Sequence, residues 1–231
     1  MTKRIKILPG GPYEVDSDIP LHRAKIVTDE KGDSKEWKIE GEYPDKPTEP
    51  YHLCRCGRSK NKPFCDGTHK ETKFEVKERA SRTPFIKQAK LYEGETLNLL
   101  DNEFLCASLR YCHERGGTWR NAVFSSSDEN RDSAINSACN CASGRLVVTD
   151  KEGNPIEKDY EAEVDLIQDT KNDIKGPLWI KGDIQLIGQD GYEYEKRNRM
   201  TLCRCGQSTN MPYCDRHHLT CDHMKGLDEE K

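Results

Sequence analysis

Residues 90–100, KLYEGETLNLL, alternate between apolar and polar positions closely enough to predict a β-strand. The stretch SSDENRDSAINSAC at 126–139 predicts a short helix capped by Ser126 or Ser127. GRLVVTDKEGNPIEKDY at 144–160 places an apolar run before a Gly-Asn turn, which predicts a hairpin. Two further stretches resemble each other: GPYEVDSDIPL at 11–21 and GPLWIKGDIQL at 176–186 share Gly, Pro, Asp, Ile and Leu in register. They predict a strand-rich lead-in used twice, with roughly 16 extra residues in the first copy's connection. We place these in the charged run TDEKGDSKEWKIEGEYPDKPTEP at 28–50.

Composition narrows the architecture. Of 231 residues only 33% are apolar and 34% are charged. With a mean hydropathy of −0.95, small units are expected rather than one large continuous core. Small units bury too little surface to stand alone and commonly need a staple such as a metal. A net charge of −4 argues against a general nucleic-acid binder, which needs a clustered basic surface. MTKRIKILPGG at the N-terminus lacks a secretory apolar run, and no later segment approaches a membrane span. The expectation is a soluble, cytoplasmic protein without a membrane partner.

The eleven cysteines give the candidate chemistry. CRCGRSKNKPFCDGTH at 54–69 is matched by CRCGQSTNMPYCDRHH at 203–218, with a cysteine at every corresponding position. Cys54, Cys56, Cys65 and His69 supply three thiolates and an imidazole, as do Cys203, Cys205, Cys214 and His218. Either set could complete a tetrahedral zinc site or close a two-iron cluster, and spacing alone leaves both open. Tight Cys-x-Cys pairs near histidines read as metal ligation rather than disulfides. Cys221 and His223 are left over, as a reduced thiol and a solvated histidine.

The first set resembles the CDGSH signature of NEET-like iron-sulfur proteins at Cys54, Cys56, Ser59, Pro63, Phe64 and the run Cys65-Asp66-Gly67-Thr68-His69. The resemblance implies a [2Fe-2S] cluster in each motif, with Cys54 and Cys56 on one iron and Cys65 and His69 on the other. The second motif departs from the signature: Arg216 replaces the glycine and His217 the small hydroxyl residue. The cysteine-to-histidine step of the first copy selects His218 over His217. Asp66 is expected to cap a helix whose N-terminus faces the cluster. Arg55, Arg58, Lys60 and Lys62 near one cluster, and Arg204 and Arg216 near the other, would raise its potential.

Between the motifs, Cys106, Cys112, Cys139 and Cys141 form a candidate third set. CNCASGRL resembles the end of divergent single-cluster ferredoxin segments, whose opening is also Cys-x5-Cys, although Ala142 stands where proline is usual. Four thiolates could hold an iron-sulfur cluster or zinc. His113 reads as a surface residue.

The expected fold is α+β: small strand-rich, metal-organised domains at 1–80, 81–165 and 166–231. The two CDGSH-type units would form an intramolecular pseudo-dimer around the middle domain. No nucleophile-base pair, phosphate loop or dinucleotide fingerprint is present. The expected role is therefore a non-enzymatic, monomeric carrier of electrons or clusters, whose partner is a redox protein or an apo iron-sulfur acceptor. The alternatives are a zinc-stabilised interaction module and a redox subunit of an enzyme complex.

Overall fold

A computed structural model describes residues 2–43 and 49–228. The first segment forms β1 (Arg4–Ile7), β2 (Tyr13–Val15), β3 (Leu21–Thr28), β4 (Ser34–Ile39) and β5 (Tyr51–Leu53), followed by the one-turn helix α1 (Thr68–Glu71). The middle holds α2 (Phe85–Gln88), β6 (Lys90–Glu93), β7 (Asn98–Asp101), α3 (Thr118–Val123), α4 (Asp128–Cys139) and β8 (Leu146–Thr149). The last segment contributes β9 (Glu163–Asp169), β10 (Ile174–Lys181), β11 (Gln185–Ile187) and β12 (Arg199–Leu202). The molecule is strand-rich with few and short helices.

The strands do not sort by segment. One sheet runs β11-β1-β2-β5 and another β12-β10-β9-β3-β4, so the C-terminal stretch lends β11 to the first sheet and the N-terminal stretch lends β3 and β4 to the second. β11 lies parallel to β1 with Ile5 opposite Leu186, and β3 lies parallel to β9 with Leu21 opposite Val164. β2 runs against β5 with Tyr13 opposite Leu53, as β10 runs against β12 with Leu178 opposite Leu202. Contrary to the compositional expectation the two ends share one core cluster, while the middle segment keeps its own around Leu97, Leu99 and Val148. Ile5, Ile7, Tyr13, Val15 and Leu21 pack with Val164, Leu166, Leu178, Ile180 and Leu202. Each such side chain contributes about 1.5–3 kcal/mol when fully buried.

In the charged run, residues 34–39 form the edge strand β4, paired to β3; residues 44–48 of that run lie outside the described residues. The stretch at 90–100 is not one strand but the hairpin β6–β7, turning at residues 94–97. Gly94 is required there, because a Cβ would collide with the carbonyl oxygens of Leu97 and Ala122. Helix α4 forms as expected, and Ser127 is its cap, its Oγ accepting from Asn130 N at 3.3 Å. After β8 the chain turns at Asp150–Asn154 and returns with Ile156 N donating to Val148 O at 2.8 Å.

The middle segment is fastened to the C-terminal strands. Arg199 on β12 donates to the carbonyls of Ala138, Cys141 and Leu146. Trp37 on β4 packs against Tyr111 and Trp179 with ring centroids 4.7 Å apart, and its Nε1 donates to Asn140 O.

Candidate metal centres

Each Cys-x-Cys pair follows directly on a short strand, β5 or β12. The ladder fixes where the sulfurs stand: Cys54 N donates to Pro63 O at 2.8 Å and Cys65 N to His52 O at 2.8 Å. The second motif repeats this with Cys203 N to Pro212 O and Cys214 N to Thr201 O, both at 2.9 Å. Ser59 Oγ donates to Phe64 O at 2.6 Å and accepts from Asn61 N; Ser208 does the same with Tyr213 and Asn210. The loop is thus a rigid backbone cradle whose polar groups are satisfied internally.

Asp66 does not cap a helix. Its Oδ1 accepts from Thr68 N and its Oδ2 from Lys60 N, so it ties the two ends of the loop together, and these bonds lower its pKa to about 2. The cap position of α1 is Gly67, and the matching turn of the second motif, His217–Thr220, is a 3-10 helix. Turns this short leave little macrodipole to act on a cluster. Arg216 takes the left-handed backbone of the glycine it replaces, at φ 73° against 89° for Gly67.

The cationic expectation also changes. Arg55 and Arg204 are buried behind the sulfurs as struts: Arg55 Nε donates to Gly11 O at 2.8 Å and Arg204 Nε to Gly176 O at 2.6 Å. Arg55 also donates to Leu8 O, while Arg204 donates to Ile167 O and pairs with Asp228. Arg58 and Lys60 are exposed, and Lys62 donates to His223 O.

The donor atoms stand as two close pairs in each motif. Cys54 and Cys56 sulfurs are 3.8 Å apart, and Cys65 Sγ lies 3.3 Å from His69 Nδ1. In the second motif the distances are 3.5 Å between Cys203 and Cys205, and 3.3 Å between Cys214 Sγ and His218 Nδ1. The neighbouring His217 turns outward to Asp215. Among the described residues, the one group of three or more His, Cys, Asp or Glu donors all within 4.8 Å of each other is His22, Glu163 and Asp165. Each motif thus presents one thiol–thiol pair and one thiol–imidazole pair.

Within each Cys-x-Cys pair the two thiols share one hydrogen bond, which eases loss of the first proton from the pair and opposes loss of the second, while burial pushes Cys65 and Cys214 up. Burial, aided by Arg204, lowers His218 to about 4, and burial with Lys70 and Arg55 lowers His69. Both imidazoles are held neutral, the form that binds metal. His218 Nε2 is buried without a hydrogen-bond partner.

In the middle segment Cys106, Cys112 and Cys141 line one cavity of about 280 Å³, with Arg145 and Arg216 on its wall. Cys112 is pushed up to about 12 by burial and by the two neighbouring thiols. Cys139 does not join them. It lies at the end of α4 with its sulfur toward Ile156 O at 3.6 Å. His113 is exposed near Asp33. His223 is not solvated: its Nε2 stands 2.9 Å from Cys205 O, and Cys221 Sγ donates to His217 O.

The chain is thus a small strand-rich protein carrying two sets of three cysteines and a histidine. Residues 10–70 and 175–219 match the family described as iron-binding zinc finger, CDGSH type. Two such regions in one chain are consistent with a tandem CDGSH-type protein, and a domain of this type implies binding of iron-sulfur clusters. No curated protein and no solved structure matches it. Among the described residues, no helix is long and apolar enough to cross a membrane.

Proposed function

We propose that the chain binds two [2Fe-2S] clusters, one through Cys54, Cys56, Cys65 and His69 and one through Cys203, Cys205, Cys214 and His218. It passes electrons or clusters to a redox protein or an apo acceptor. The observation that carries this is the family match of both regions, with a thiol–thiol and a thiol–imidazole pair brought together in each motif. When bound, such a cluster supplies one-electron chemistry. The chain's own part is to present neutral imidazoles and closely paired thiols, on loops braced by Ser59, Ser208, Arg55 and Arg204.

The two units act as an intramolecular pseudo-dimer. Supporting this, β1, β2 and β5 with the borrowed β11 correspond to β9, β10 and β12 with the borrowed β3. The role requires no catalytic group of the chain itself, and a monomer in the cytoplasm suffices for it. A third centre at Cys106, Cys112 and Cys141 belongs to the same proposal. Its metal is iron-sulfur or zinc, with three protein thiolates and space in the cavity for one exogenous ligand.

Anaerobic purification followed by iron, sulfide and zinc analysis tests the reading. The expected result is about four irons and four sulfides from the two terminal sites. Stoichiometric zinc without labile sulfide would overturn it. For the middle, Cys106→Ser with Cys141→Ser should lower the metal content while Cys139→Ser leaves it unchanged. Equal metal in the double variant and the unaltered protein would exclude that centre.

A further inference from the structure

The two motifs share a backbone design but differ in what covers them. All four C-terminal donors are buried, with Cys203 at 1% exposure and Cys205, Cys214 and His218 at 2%. In the N-terminal motif Cys54 and Cys56 are buried while Cys65 and His69 are only half-buried. The difference falls on the Cys-His half of the site, where the turn carrying His69 buries no residue and the matching turn buries His218.

Its cause is the middle segment. Ala107, Leu109, Tyr111 and Ala142 pack with Cys214 and Trp179 in one apolar cluster. This cover is pinned at three points. Arg110 makes two hydrogen bonds, of 2.8 and 2.7 Å, to the buried carboxylate of Asp169. Ser34 Oγ donates to Leu109 O at 2.7 Å, and Tyr111 OH to Glu36 O at 2.8 Å. Removing the cover exposes apolar surface and leaves the buried Asp169 carboxylate without its cation, held by Asn172, so opening is opposed by the local stability of this whole contact.

We propose that the two sites have unequal roles, the N-terminal one serving as the exchange port and the C-terminal one retaining its cluster beneath the middle segment. This rests on the two-cluster reading above. Transfer at the port is ligand substitution without electron movement. Four thiols of a cysteine-ligated acceptor replace three thiolates and one imidazole on iron. Three of the thiol protons pass to the freed Cys54, Cys56 and Cys65, and the fourth goes to solvent. His69, the neutral and more accessible donor, is the first to be displaced.

The test uses the two-cluster protein under anaerobic conditions, mixed with excess apo-ferredoxin of the [2Fe-2S] type and followed by visible absorbance. Iodoacetamide is added at intervals, and peptide mass spectrometry identifies which cysteines have been freed. Two phases of equal amplitude are expected, separated at least about tenfold in rate because one site must first open locally. Cys65 is alkylated in the fast phase and Cys214 in the slow one. His69→Cys slows the fast phase alone, and Arg110→Ala accelerates the slow phase alone. Should Arg110→Ala not fold, the order of alkylation in the unaltered protein decides. A single phase, or Cys214 freed before Cys65, would overturn the assignment. Failure of the underlying reading looks different, since the purified protein would then hold no sulfide to release.

Discussion

At the scale of single residues, Arg216 shows how a family position can change while its backbone does not. A side chain at φ 73° is disfavoured by its Cβ, at a cost of about 1–2 kcal/mol. Arg216→Gly should therefore stabilise the loaded protein by about 1 kcal/mol, seen as a higher Tm. Gly67→Ala at φ 89° should lower the Tm by a similar amount, although no atom lies within 4 Å of the added Cβ. An unchanged Tm in both would mean that the turn relaxes freely. The substitution was visible in the sequence, but its harmlessness to geometry was not. The departure from glycine weakens a motif match without revealing that neighbouring bonds, such as Asp215 with Thr209 N, hold the turn regardless.

At the scale of elements, β3 and β9 are joined by charge as well as by ladder. His22 Nδ1 lies 3.0 Å from Glu163 and 3.7 Å from Asp165, and Lys181 Nζ lies 2.6 Å from Asp165 and also contacts Glu163. Buried Asp165, facing the ring at 3.7 Å, raises the His22 pKa, with Glu163 acting in the same sense and burial and Lys181 opposing. A raised folded-state pKa gives stability that is fully present below the unfolded value of about 6.5. It is lost as pH rises through the folded value. Thermal unfolding at pH 6 and pH 9 should then show a smaller fall in Tm for His22→Gln than for the unaltered protein. Equal falls would show that His22 does not sense this cluster of charges. The pairing of β3 with β9 could not be read from the sequence, because a parallel partner so distant along the chain leaves no local signal. Cys139 is the opposite case. The predicted helix at 126–139 ends on it, and the structure turns its buried thiol to Ile156 O while Cys141, beyond the helix, lines the cavity.

At the scale of the whole molecule, both terminal donor sets were legible as sets, since their spacing is local and its repetition fixes the register. The pseudo-dimer expectation put the two units together, but not the contact between their loops. Distant motifs suggest sites that load independently, yet the two Cys-x-Cys-Gly loops meet back to back. A Cβ on Gly57 would lie 2.7 Å from Cys205 O, and one on Gly206 would lie 2.6 Å from Cys56 O. Low hydropathy likewise hid the common core, because exposed charge dilutes the average while the apolar positions of both halves converge on one interior. Contact between the loops makes one site's backbone part of the other's wall. Gly206→Ala should thus disturb Cys56 as well as its own motif, lowering iron and sulfide at both sites and leaving Cys54 and Cys56 open to alkylation. Gly67→Ala, with open space around its Cβ, should affect the N-terminal site alone. If Gly206→Ala empties the C-terminal site while Cys54 and Cys56 stay protected, the loops yield independently and the two centres are mechanically separate.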